Sequence, residues 1–108
     1  MKKEETKIQD KVRLELCKKG CKVFRCNVGL FFTQYGEKIR IGTPGHSDLY
    51  GVKPGGTAFF IEMKTPIGKA SNKQKNFINV MKQMGCYAGF ARSVEEALKI
   101  VFPENYKE

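Results

Sequence analysis

The sequence predicts an α/β domain in which a central mixed β-sheet is flanked by helices, in the order α-β-β-β-β-β-α-β-α. Three observations carry this reading. Apolar residues recur at helical spacing near both ends of the chain, the middle is a series of short aromatic and β-branched runs, and Gly and Pro clusters punctuate those runs. Helices at both ends of a strand-rich centre bury a sheet most readily by covering it. At 108 residues the chain is expected to form one domain, 1–108, with one modest core.

Residues 3–19 read as the first helix, because Ile8, Val12 and Leu16 form an apolar stripe and Gly20 stops it. Cys21 to Val28 reads as a strand. Leu30 to Gln34 and Glu37 to Ile41 read as two more, joined by a turn at Tyr35-Gly36. After a loop at Gly42 to Gly45, Ser47 to Val52 and Thr57 to Lys64 form a hairpin around Lys53-Pro54-Gly55-Gly56. Both faces of this hairpin carry apolar groups, which places it mid-sheet. Pro66 to Ala70 is a loop. Ser71 opens a second helix that ends at Gly85, with Phe77, Ile78, Met81 and Met84 expected on its buried side. Cys86 to Ala91 is a short strand, and Ser93 caps a last helix, VEEALKIV.

The composition, 41% hydrophobic and 29% charged, is that of a globular chain. No apolar run approaches the ~20 residues needed to span a bilayer. The stretch MKKEETKIQDKVRLEL contains no continuous apolar segment of the kind a secretory signal has, so the expected compartment is the cytoplasm, or the host cytoplasm for a phage-encoded chain. The net charge of +9 favours a polyanionic partner, of which nucleic acid is the commonest; the plain alternative is a soluble basic protein. Cys17, Cys21, Cys26 and Cys86 form no CxxC pair, and His46 is the single histidine, so zinc is a poor proposal and reduced thiols are expected.

The strand Phe59-Phe60-Ile61-Glu62-Met63-Lys64 places Glu62 and Lys64 on one face. Charges there are costly unless paired or put to use, and an ion pair at a strand end is the plain reading. If the hairpin is centred on Gly55, Asp48 lies opposite Glu62 and joins the cluster; a Gly55-Gly56 turn would send it to the other face. Opposed carboxylates repel unless a proton or a cation lies between them. Glu5 falls on the buried stripe of the first helix, where it is either a site residue or an acid at the positive end of the helix dipole, a part Glu4 or Asp10 could equally play. Gln74 falls on the buried stripe of the second helix, and Ser71-Asn72-Lys73-Gln74 also fits a capping box, so two roles are open for it. Lys69, Lys73, Lys75 and Lys82 are singly a solvated face and together suit a phosphate backbone.

These residues carry a resemblance. GHSD, Gly45 to Asp48, followed by a strand ending IEMK, Ile61 to Lys64, resembles the PD-(D/E)xK nuclease signature, with Ser47 where proline is common. The whole chain is similar to a stand-alone VRR-NUC (virus-type replication-repair nuclease) domain of the phage or bacterial type. The matching features are the helical start Glu5-Thr6-Lys7-Ile8-Gln9, Arg25-Cys26-Asn27, the two signature segments, Ser71 to Gln74, and SVEEA from Ser93.

The resemblance implies a restriction-endonuclease-like core and hydrolysis of phosphodiester bonds with Mg²⁺ or Mn²⁺. Asp48 and Glu62 offer hard oxygen ligands, and the backbone carbonyl of Met63 would complete the set. Lys64 would orient the attacking water or stabilise charge on phosphorus, Glu5 would hold a second metal or a metal-bound water, and Gln74 would position Lys64 or the nucleophile. Arg25, Asn27 and the four lysines are expected on DNA. The implied substrate is branched DNA such as a Holliday junction, in recombination or repair, and the implied assembly is a homodimer. Leu30-Phe31-Phe32 is a candidate interface, ordinary core being the plain reading. Competing functions are a flap, nicking or single-strand nuclease with the same site, a non-catalytic DNA-binding module, and an RNA-binding protein, for which an RRM-like aromatic signature is missing.

Overall fold

The structure, a computed structural model, describes residues 4–26, 29–42 and 45–106. Helix α1 (Glu4–Lys18) is followed by strand β1 (Lys22–Arg25), the hairpin β2 (Gly29–Phe32) and β3 (Lys38–Ile41), and the hairpin β4 (Leu49–Val52) and β5 (Ala58–Met63). Helix α2 (Asn72–Gln83), strand β6 (Tyr87–Ala91), helix α3 (Val94–Val101) and a 3₁₀ turn at Pro103–Tyr106 complete the chain. The element order is the expected one, with the final turn as an addition.

The central sheet has the order β1-β4-β5-β6. Its first three strands are antiparallel, and β6 joins β5 in parallel through α2, so the sheet is mixed. A parallel pair needs a crossover, and α2 supplies it. The β4–β5 register pairs Leu49 with Ile61 and Tyr50 with Phe60, which is the pairing centred on Gly55.

Alternation then sorts the side chains. Val23, Leu49, Phe59, Ile61, Met63 and Ala91 share one face and are buried with Val12 and Leu16 of α1 and Ala97 and Val101 of α3. The opposite face carries Phe24, Tyr50, Phe60 and Glu62, and α2 lies over part of it, with the ring of Phe77 5.5 Å from that of Phe60. Three layers result, α1 and α3, the sheet, and α2. The turn of the β4–β5 hairpin is tied to α3: the Lys53 ammonium donates to the last-turn carbonyl of Val101 at 2.7 Å and lies 4.6 Å from the centre of the Phe102 ring.

Two expectations are corrected. Met84, expected on the buried side of α2, is 75% exposed. It is the C-cap of the helix, so it falls past the end of the stretch that the sheet covers; Ile78 is the buried anchor, with Phe77 and Met81 half-buried. The β2–β3 hairpin is a separate two-stranded sheet that makes no extensive contact with another described element, and Phe32 is 62% exposed, against the plain reading of that residue as core. The side chains of Leu30 and Phe31 lie outside the described ones. The outline is elongated, 55 × 34 × 27 Å. Among the described residues no helix is long and apolar enough to cross a membrane.

Candidate active site

Four side chains named from the sequence meet on the α2 side of the sheet: Asp48, Glu62, Lys64 and Gln74. Asp48 lies just before β4. Its backbone carbonyl accepts from the Cys26 amide at 2.7 Å, extending the β1–β4 ladder, and its Oδ2 accepts from the Met63 amide at 3.0 Å. The carboxylate is thereby fixed against β5. Ser47 is fully buried and its hydroxyl donates to the Leu49 carbonyl at 2.9 Å, so the local turn satisfies the one polar group that proline would lack.

Glu62 is 4% exposed. Its Oε1 accepts from Gln74 Nε2 at 3.0 Å and lies 3.9 Å from the Lys64 ammonium, while its Oε2 is buried and has no hydrogen-bond partner. Burial, followed by the charge of Asp48, pushes its carboxyl up to about 8, and Lys64 only partly opposes this. Burial, with smaller contributions from Asp48 and Glu62, also raises the thiol of Cys26, which follows β1 on the same face. Lys64 leaves the sheet by donating its amide to the Ala91 carbonyl at 2.8 Å and aims its ammonium at Gln74 Oε1, 2.6 Å away.

Gln74 answers the choice that the sequence left open by filling both roles. Its Oε1 accepts from the Ser71 amide at 3.0 Å while the Ser71 hydroxyl accepts from the Gln74 amide at 3.2 Å, which is a complete capping box. The same side chain holds Lys64 and Glu62. The start of α2 and the site are built on one residue.

Lys69, Lys73, Lys75 and Lys82 are exposed along α2 and the loop before it. Arg25 is exposed on β1 and pairs with Leu49, one residue out of step with Asp48. Glu5 belongs to the first turn of α1, but its side chain lies outside the described ones, as does Asn27 altogether. Sequence reasoning missed Arg92, whose guanidinium donates to the carbonyls of Thr65 and Gly68 at 3.1 and 2.9 Å and pins the loop that follows Lys64. An arginine 24 and 27 residues away in sequence gave no local signal of this. Gly45, which opens the GHSD segment, has a packing reason to be glycine that the sequence did not show: at φ +86, an added Cβ would stand 2.6 Å from the Lys73 carbonyl oxygen. Gly45→Ala is therefore expected to push the loop off the start of α2 and lower the melting temperature by several degrees, measured by circular dichroism, with a larger loss for valine.

Among the described residues no group of three or more His, Cys, Asp and Glu side chains gathers as a metal cage. The smaller donor set does fit a hard divalent cation. Two carboxylates lie on adjacent strands, and one of them buries an oxygen with nothing to bond; a cation there would relieve both the repulsion and the orphaned oxygen.

Comparison with known proteins agrees with this geometry. A family model described as VRR-NUC domain matches residues 14–95. A solved structure titled "VRR_NUC domain" superposes with a TM-score of 0.69 at 19% identity, covering 98% of this chain and 100% of that one, which is a likeness of fold. No curated protein matches the chain.

Proposed function

The chain belongs to the VRR-NUC family of the PD-(D/E)xK nuclease superfamily, and from that premise we propose that it is a metal-dependent DNA endonuclease that selects branched DNA such as a four-way junction. The observation that carries the catalytic part is the orphaned, buried Oε2 of Glu62 beside Asp48, with Lys64 and Gln74 in contact on the same face. Asp48, Glu62 and the Met63 carbonyl would hold Mg²⁺ or Mn²⁺, with Glu5 assigned to a second ion or to a water. Such an ion supplies Lewis acidity at the scissile phosphate.

The chain's own residues do the rest. The Met63 amide fixes Asp48 and the Gln74 side chain holds Glu62, so both members of the acidic pair are preorganised. Lys64 directs its ammonium toward the water that attacks or toward the charge that develops on the phosphate oxygens. Gln74 holds Lys64 at 2.6 Å and limits its freedom to pair with Glu62. The exposed lysines of α2 and its preceding loop, with Arg25 and Asn27, bind the sugar–phosphate backbone and read no bases. That suits selection by shape.

One chain carries one such site, and cutting two strands symmetrically takes two. The reading therefore includes a homodimer, supported by a β2–β3 hairpin that stands apart from its own core and exposes Phe32.

The test is cleavage of a labelled panel of four-way junction, flap, splayed arm, duplex and single strand, each with Mg²⁺, Mn²⁺ or EDTA, with mass measured by light scattering. Metal-dependent resolution of the junction by a dimer is expected. Cutting confined to flaps or single strands would overturn the choice of substrate, and metal-independent cutting would overturn the mechanism.

A further inference from the structure

The face of the sheet that carries the acidic pair also carries a column of aromatic rings. Phe24, Tyr50 and Phe60 sit directly opposite one another on β1, β4 and β5. Their rings stack across the strands, at 5.4 Å and 26° for Phe24 with Tyr50, and at 6.4 Å and 15° for Tyr50 with Phe60. The inner end of the column is closed: His46 and Phe77 each lie edge-on to Phe60, and His46 also meets Tyr50. The outer end is open. Strand β1 is the edge of the sheet, and Phe24 is 42% exposed.

This column runs beside the acidic pair. Asp48 and Glu62 are each two residues along their strands from Tyr50 and Phe60, on the same face. From strand geometry, the Cα of Phe24 stands about 8 Å from that of Asp48. The rim is cationic, with the Lys22 ammonium 6.0 Å from the centre of the Phe24 ring.

We infer that the open end of this column is a stacking platform for one unpaired nucleobase lying within about one or two nucleotides of the phosphate at Asp48 and Glu62. The position of the platform relative to the cut rests on the nuclease reading above. A base laid on Phe24 extends a stack that the protein has already built, so the ordering cost falls on the nucleotide alone, and Lys22 supplies charge for its phosphate. A base in a continuous duplex is stacked on its neighbours and gains nothing from the ring. The platform therefore favours nucleic acid with an unpaired nucleotide next to the cut, as at a flap, or at a junction whose central pairs open on binding. The other occupant that an exposed ring could take is a second copy of the chain, but a cationic rim on both copies would oppose that contact.

The chain contains no tryptophan, so Phe24→Trp installs a single fluorescent reporter at the platform. It would be titrated, without divalent metal, with a flapped duplex and with a blunt duplex of equal length. Quenching by the flapped DNA and not by the blunt duplex is expected. Phe24→Ala is expected to weaken binding of the flapped DNA about tenfold and leave the blunt duplex unchanged, with Phe24→Leu as a folding control of similar bulk. In cleavage, an abasic nucleotide beside the cut is expected to slow the parent about tenfold and to leave Phe24→Ala no slower than on the intact substrate. Equal response to both DNAs, parent-like behaviour of Phe24→Ala, or a change of mass in Phe24→Ala would each overturn the inference. A parent that cuts the panel while the reporter stays silent removes the platform and leaves the nuclease. A reporter that responds in a parent that cuts nothing removes the nuclease and keeps the base contact.

Discussion

Glu62→Gln is expected to abolish cleavage and, in the same protein, to stabilise the metal-free fold above about pH 8. The two effects share one cause. Glu62 is buried against Asp48 and keeps its proton up to about 8, whereas an unfolded glutamate releases it near 4.5. Protonation thus favours the folded state. The favourable contribution is complete below about 4.5, declines as pH rises, and is gone above about 8. Glutamine does not titrate, so the variant escapes that decline. At about 1.4 kcal/mol per pKa unit the gain at pH 9 is on the order of a few kcal/mol, which urea melts at pH 6 and pH 9 would resolve. A cation needs the deprotonated carboxylate, so Mn²⁺ is expected to raise the melting temperature of the parent more at pH 8.5 than at pH 6, and to leave Glu62→Gln almost unmoved. Lys64→Ala is the companion: it should fold like the parent and lose cleavage by about 10³-fold, since its ammonium is placed where charge develops. A Glu62→Gln protein that cuts normally, or whose stability follows pH as the parent's does, would remove Glu62 from its assigned place.

Gln74→Ala is expected to cost both stability and rate, and Ser71→Ala only stability. Each substitution breaks the capping box, worth about 1 kcal/mol, so both should lower the melting temperature by a few degrees. Only the first also releases the Lys64 ammonium and leaves Glu62 Oε1 without its donor. Its cleavage rate should fall by about 10²-fold, whereas Ser71→Ala should stay within about twofold of the parent. Comparing the two in single-turnover cleavage at a temperature where both remain folded separates helix capping from the site. Equal rates in the two variants would reduce Gln74 to a cap.

Much of this was legible in the sequence because it depends on short-range rules. The element order follows from periodicity and from glycine and proline, and Ser71 and Ser93 cap the helices at the positions their sequence context indicates. The pairing of Asp48 with Glu62 was legible only as one of two registers. Lys53-Pro54-Gly55-Gly56 permits both, and tertiary packing decides, because one register puts Leu49 and Ile61 together in the core and the other would put them on opposite faces. Gln74 showed two patterns at once, and local reasoning treats two patterns as alternatives when a single side chain with an acceptor and a donor can serve both. Met84 was misplaced because periodicity does not know where a helix runs out of partner. Arg92 was invisible because its partners are the carbonyls of a loop 24 and 27 residues away. Those acceptors are backbone, which every sequence has.

The hairpin formed by β2 and β3 has a consequence for how the chain becomes ordered. Two strands that make no extensive contact with another described element have mainly their own ladder and a turn to hold them, and such a ribbon is marginal in water. The four-stranded sheet, by contrast, is covered by α1 and α3 on one face and in part by α2 on the other. The molecule thus has two stabilities rather than one: a body that opens only by global unfolding, and an arm whose amides open locally at far lower free energy. Because neither edge of the ribbon pairs with another described strand, a second copy lying alongside, as in the proposed homodimer, would order the arm, and its protection from amide exchange is then expected to rise with protein concentration.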